Sequence, residues 1–241
     1  MAKVDPSIRL NKYVAHCGVA SRREASNLIK NGSIQVNGKS QNDPAYKVQP
    51  DDVITLDGKE IIPLEKPVYL AMNKPKKVST TTDDPNIKNV IGLVKNKMTE
   101  SVQPVDTLED MTTGVLLLTN DKKVLEKLED PNRAIKKLYH VTLEKSIDDK
   151  AIEEILESVG EDNQQLSIKE INFVDEENTM EIMVESHTGT SEDIQTHLKS
   201  NGLEIKRFDR VFYGGITKKD LQRGWFRHLT QQEVIRLKHF L

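Results

Sequence analysis

Two adjacent arginines, Arg22 and Arg23, directly follow Ser21, and Ser21 and Glu24 have the spacing of a capping box that opens a helix. Guanidinium groups in a first helical turn lie beside free backbone N–H groups and the positive end of the helix dipole. All three can converge on one phosphate. The like charges are mildly unfavourable for the helix itself, so a ligand gives the better reason for them. Arg9, Lys12, Lys30 and Lys39 can complete a basic rim. No aromatic platform accompanies these cations. The expected chemistry is therefore capture of the backbone and folded shape of an RNA rather than stacking on unpaired bases.

Other reactive side chains point away from metal or thiol chemistry. The single cysteine, Cys17, excludes an internal disulfide and suits a reducing compartment; it reads as a small buried hydrophobe. The six histidines, at positions 16, 140, 187, 197, 228 and 239, show no metal-ligand spacing. No metal and no cofactor are expected. No apolar run approaches the roughly 18–20 residues that span a bilayer, and MAKVDPSIRL lacks the apolar stretch of a signal peptide. The reading is a cytoplasmic chain with no membrane partner.

The net charge of −3 conceals segregation. Residues 1–50 hold 8 Lys/Arg against 3 Asp/Glu, residues 140–197 hold 3 against 16, and residues 199–241 hold 10 against 4. Basic ends around an acidic middle suggest that the ends face a polyanion.

The elements that must position these groups are readable in order. Ser7 can cap a first helix, the Ser21 box opens a second that Gly32 closes, and SIQV leads into the hairpin turn Asn37-Gly38. VITLDG follows as a strand ending at Asp57-Gly58, and EKP at 65–67 reads as a linker. Beyond it, VYLAMNKP is a strand and TTTDDPN lies in a loop. GVLLLTND is an apolar run with a helix after it, and LYHVTL alternates as a strand. DDKAIEEILESVG has Ile152, Ile155, Leu156 and Val159 on one helical face. MEIMVE, SEDIQTHLKSNG and LEIKRFDRVFY read as strand, helix and strand. Thr230 and Glu233 box a closing helix with Val234, Ile235 and Leu237 inward. Strands and helices are interspersed without strict alternation, so the class is α+β with a mixed or antiparallel sheet.

IRLNKYVAHCGVASRREASNLIKNGSIQVNG resembles, essentially throughout, the RNA-binding domain named after a ribosomal small-subunit protein. Arg9-Leu10, Ser21-Arg22-Arg23-Glu24-Ala25, Gly32 and Val36-Asn37-Gly38 carry the resemblance. From Val68 onward the chain is similar to the bacterial ribosomal RNA pseudouridine synthases that carry this module, of the small-subunit type. The similarity lies in YLAMNKPK (69–76), TTGVLLLTND (112–121), KKLYHVTL (136–143) and LEIKRFDRVFYGGITKKDLQRGWFRHLT (203–230). It implies an RNA-binding domain over 1–64 and a synthase-like domain over 65–241.

In that family an Asp carboxylate drives the isomerisation of uridine to pseudouridine without cofactor or metal, on a nucleotide extruded from its stack. The family motif is Gly-Arg-Leu-Asp, followed closely by Thr-x-Gly. Counting back from Gly114, this chain reads Asp106-Thr107-Leu108-Glu109. Glu109 therefore stands at the catalytic position, Thr107 at the position of the arginine expected to orient the carboxylate, and Asp106 at that of the glycine. One added methylene displaces a carboxylate by roughly an ångström, which can cost ~100-fold in rate. The neighbouring acids Asp106, Glu109 and Asp110 are expected to repel one another. A family segment rich in arginine corresponds here to Gly189–His197, where Glu192 and Asp193 would repel phosphate and Gln195 and Thr196 are neutral. Lys77 and Lys122 stand where glycines are usual. Tyr139 matches the family's base-packing tyrosine and, equally, reads as a core strand residue.

The expected function is thus an RNA-binding member of the synthase family with reduced or lost catalysis. Two alternatives stay open. One is an active synthase using Glu109 or an acidic neighbour. The other is a ribosome-associated interaction module whose acidic 140–197 segment docks on basic ribosomal proteins. The partner expected is structured, ribosomal RNA, and the chain is expected to be a monomer.

Overall fold

The structure, a computed structural model, describes residues 8–63, 67–82, 84, 86–95, 97–98, 100–130, 133–160 and 165–239. It divides into two compact units, Met1–Lys66 and Pro67–Leu241.

In the first unit α1 (Leu10–His16) starts at Arg9, which offers no side-chain cap. Ser7, expected to cap it, lies outside the described residues. The Ser21 box closes in both directions: Glu24 N–H donates to Ser21 Oγ at 3.3 Å and Ser21 N–H donates to Glu24 Oε2 at 2.8 Å. It opens α2 (Arg22–Lys30). Asn37 and Gly38 have φ of 52° and 75°, the left-handed pair that a two-residue hairpin needs, and they join β1 (Ile34–Val36) to β2 (Lys39–Ser40). Asp57-Gly58 turns in the same way between β3 (Ile54–Leu56) and β4 (Lys59–Glu60), so it makes a second hairpin. The four strands run in the order β2-β1-β3-β4. Leu10, Val14, Ala25, Ile29, Ile34 and Ile54 meet in one core with at most 1% of their surface exposed. Each such aliphatic burial is worth about 1.5–3 kcal/mol for the larger side chains. Cys17 belongs to this core, and burial pushes its thiol up to about 12, which leaves it unreactive.

The second unit is one mixed sheet with helices against it. Its strands are β5 (Tyr69–Lys74), β6 (Gln103–Pro104), β7 (Thr113–Thr119), β8 (Lys137–Leu143), β9 (Ser167–Phe173), β10 (Glu181–Thr188), β11 (Ile205–Tyr213), β12 (Ile216–Thr217) and β13 (Phe226–His228). The order is β13-β5-β7-β11-β8-β10-β9, with β6 on β7 and β12 on β11. Among the described strands only β7 and β11 pair in parallel. The helices are α3 (Val90–Lys95), α4 (Lys122–Leu128), α5 (Asp149–Val159), α6 (Ser191–Ser200) and α7 (Gln231–His239). β5 and β7 are buried at every position, as strands covered on both faces must be. β8 alternates buried and half-buried. Ile235, expected inward on α7, is 52% exposed, while Leu237 packs into the core. The fold is α+β: a small helix-and-hairpin unit followed by a mixed-sheet unit.

Candidate functional site

In the N-terminal unit, Arg22 and Arg23 occupy the first turn of α2, where the Ser21 cap satisfies the Glu24 N–H. Arg9, Lys12, Arg22, Arg23, Lys30 and Lys39 are all exposed, and none forms an ion pair among the described residues. Six solvated cations without acidic partners on one small unit leave their charge free for a polyanion.

In the second unit the segment 106–112 is fastened from below. Lys74, at the end of β5, has none of its surface exposed and donates to the carbonyls of Glu109 at 2.9 Å and Thr112 at 3.0 Å. Burial lowers its ammonium to about 8, against the pull of Asp110 and Glu109. Immediately after this segment the chain must touch β11: a Cβ on Gly114 would come within 2.0 Å of the Arg210 carbonyl oxygen, and Gly114 has φ +112°. Only glycine permits that approach.

Arg210 is the residue that sequence reasoning missed. It is fully buried, donates Nε–H to the Val115 carbonyl at 2.8 Å, and donates through Nη1 to Asp106 Oδ2 at 2.5 Å. Its guanidinium lies 4.6 Å from the centre of the Tyr213 ring. Burial opposes its charge, but the Asp106 carboxylate outweighs that and keeps it protonated. Its Nη2 and the Tyr139 hydroxyl are buried without a hydrogen-bond partner among the described residues. The only hint in the sequence was a charged pair, Asp209-Arg210, inside an otherwise apolar strand half, Phe208 to Tyr213.

Glu109 does not share this arginine. Its carboxylate accepts from Thr112 Oγ1 at 2.6 Å, from Ser191 Oγ at 2.8 Å and from Gln195 Nε2 at 2.8 Å. Ser191 and Gln195 sit in the first turns of α6, so the longer side chain has reached the positive end of that helix. The expected repelling cluster does not form. Asp106 turns to Arg210, Glu109 to α6, and Asp110 is exposed. Asp193, expected to face RNA, instead closes a capping box with Thr190. Glu192 and Thr196 are both exposed. Tyr139 is packed as core, its ring 4.8 Å from Phe208 and none of its surface exposed.

A cavity of about 550 Å³ opens beside these groups, with Asp106, Thr107 and Tyr213 on its wall. Glu109 is not among its lining residues. Asp106, Glu129, Asp130 and Asp193 line it, with Arg133 and Lys137. Lys137 is itself engaged with the Gly189 carbonyl at 2.6 Å.

The profile of the RNA pseudouridylate synthases matches residues 68–200, and that of the S4 domain matches residues 8–54. The chain belongs to the RNA pseudouridylate synthase family. Among its family relatives, "Ribosomal large subunit pseudouridine synthase B" of Bacillus subtilis (strain 168) is 34% identical over 236 residues, covering 95% of each chain. "Dual-specificity RNA pseudouridine synthase RluF" of Escherichia coli (strain K12) is 29% identical over 239 residues, covering 97% of this chain and 79% of that one. The first name specifies the large ribosomal subunit, where the motifs suggested the small-subunit type. A crystal structure of a pseudouridylate synthase, 20% identical, superposes with a TM-score of 0.61 over 96% of this chain and all of the other, which establishes the shared fold.

Proposed function

We propose that this synthase-family chain binds ribosomal RNA and that its isomerase chemistry is reduced or lost. One observation carries the reading: the carboxylate at the catalytic position is held by neutral donors from Thr112, Ser191 and Gln195, while the buried Arg210 is taken by Asp106. A carboxylate that must attack or take a proton has to leave those donors. A hydrogen bond to a charged acceptor is worth on the order of 1.5–3 kcal/mol, so release from three of them raises the barrier steeply. RNA binding is supported by the solvated cations of the S4 domain and by the relatives, whose names describe action on RNA.

A second reading rests on a separate observation. Asp106 is a carboxylate on the cavity wall with a buried arginine beside it, and an active synthase could use it in place of Glu109. Binding and conversion measured on one preparation, with protein-free ribosomal RNA, separate these readings. Salt-sensitive binding that needs Arg22 and Arg23, without pseudouridine formation, supports the proposal. Conversion lost in Glu109→Ala supports an active synthase at the family position, and conversion lost only in Asp106→Ala supports the relocated carboxylate.

A further inference from the structure

Trp225 is the only tryptophan of the chain, and it is 55% exposed at the start of β13. Its main chain is fixed. Gly224 N–H donates to the Asn73 carbonyl at 2.8 Å, Asn73 N–H donates to the Trp225 carbonyl at 3.0 Å, and Trp225 N–H donates to the Gln222 carbonyl at 3.0 Å. The Lys97 ammonium stands 4.0 Å from the indole centre. A large, rigidly mounted aromatic left in water beside a cation is poorly explained by core packing and well suited to contact with a partner.

The charge around it identifies that partner. Arg223, two residues earlier, is bonded to Asn73 Oδ1 at 2.8 Å and to Asp209 at 3.2 Å. Asp209 also binds Lys218, and Arg207 at 3.2 Å. Three cations thus converge on one carboxylate that is 1% exposed, while their own side chains keep 34%, 21% and 45% of their surface for Arg223, Lys218 and Arg207. In the adjoining turn Lys219 and Asp220 offset one another. Three cations against one carboxylate leave two positive charges in excess, in a cluster that Arg223 joins to Asn73, whose N–H bonds the Trp225 carbonyl, and Lys97 stands on the ring. That combination matches a nucleic acid strand, in which every base offers a stacking face and every linkage a negative charge.

We propose that Trp225, with Lys97, Arg223, Lys218 and Arg207, forms a stacking platform for an unpaired RNA segment. A base lies on the indole and the cations meet its flanking phosphates. The inference rests on the RNA-binding reading. It supplies the second unit with the aromatic platform that the S4 domain lacks, and it does not involve Asp106 or Glu109.

The single tryptophan makes its own reporter. The full chain is titrated with a ten-nucleotide oligouridylate while indole emission is followed, and the affinity of a labelled copy is measured by anisotropy. Wild type is compared with Trp225→Phe, Trp225→Ala and an Arg22→Ala/Arg23→Ala double variant, with circular dichroism confirming the fold of each. The expected result is quenching by the single strand but not by a blunt duplex of equal charge. Trp225→Ala should bind about 5- to 150-fold more weakly, the range that stacking of one base supplies, and Trp225→Phe should retain most of the affinity. Binding that depends on Arg22 and Arg23 but leaves the emission and the Trp225→Ala affinity unchanged overturns the platform and spares the RNA-binding reading. Equal quenching by the duplex also overturns it. Absence of binding to the oligouridylate while ribosomal RNA is still bound overturns the platform and spares the RNA-binding reading, whereas absence of binding to ribosomal RNA as well overturns both.

Discussion

Arg210 Nη1 and Asp106 Oδ2 meet at 2.5 Å, bringing the middle of β11 against a loop 104 residues earlier in the chain. The guanidinium has no exposed surface and the aspartate side chain keeps 16% of its own. The aspartate stands where the family motif is expected to have glycine, and it is the counterion of a fully buried cation. The position where that motif has arginine is Thr107, which carries no charge. The charge balance of the site has been rebuilt around Arg210 rather than simply removed.

Removal of one member of this pair should therefore be severe. Asp106→Ala leaves a fully buried guanidinium without its counterion, and breaking a buried pair in this way costs about 3–5 kcal/mol. Urea unfolding checks the magnitude. A cycle that adds Arg210→Met should recover much of the loss, because it removes the stranded charge; full additivity of the two changes would contradict the pairing.

Glu109 should behave as a structural anchor between the 106–112 loop and α6. Glu109→Ala is expected to lower stability by on the order of 1–3 kcal/mol, since Ser191 and Gln195 lose a charged acceptor. RNA affinity should be unchanged in the same variant. A large loss of RNA affinity with intact folding would place Glu109 in the RNA interface instead.

How much of this was legible depended on sequence distance. The Ser21–Glu24 box and the Asn37-Gly38 turn are complete within four residues, and both formed as read. β9 escaped notice because its buried residues Ile168 and Ile171 are three apart, and bulges in its pairing with β10 break the two-residue period. α3 is only six residues long and begins inside what reads as a polar loop. At the site, the residue types were visible but their partners were not. Glu109 finds Ser191 and Gln195 82 and 86 residues later, and no local pattern announces such a meeting. Thr107 correctly signalled the missing local arginine, yet nothing near it disclosed that Arg210 would arrive from another strand.

The phosphate-binding role of the S4 domain is testable through salt. Reversing Arg22 and Arg23 to glutamate should weaken RNA binding and reduce the slope of log affinity against log salt by about 0.7–0.9 for each phosphate no longer neutralised. Anisotropy at several potassium chloride concentrations gives that slope. An unchanged slope would remove both arginines from the interface.

The cation cluster on Asp209 predicts an acid limb in the stability profile. Burial alone would raise this carboxyl, but hydrogen bonds and charge from Arg223 and Lys218 hold it down to about 2, against 3.8 unperturbed. The folded value is the lower one, so between the two values the unfolded chain binds more protons. The contribution, on the order of 2 kcal/mol, is complete above about pH 4 and is lost as the pH falls toward 2. In Asp209→Asn that part of the pH profile should flatten, which urea midpoints between about pH 2 and 5 would reveal.

The proposal that this family member's isomerisation chemistry is reduced or lost is tested most directly by label release under single-turnover conditions. Protein in excess is mixed with protein-free ribosomal RNA carrying tritium at uridine C5, and solvent tritium is followed against a protein-free control. The proposal predicts little or no release above the control, with the RNA bound throughout. Release that disappears in Glu109→Ala or in Asp106→Ala would contradict the account and identify which carboxylate performs the reaction.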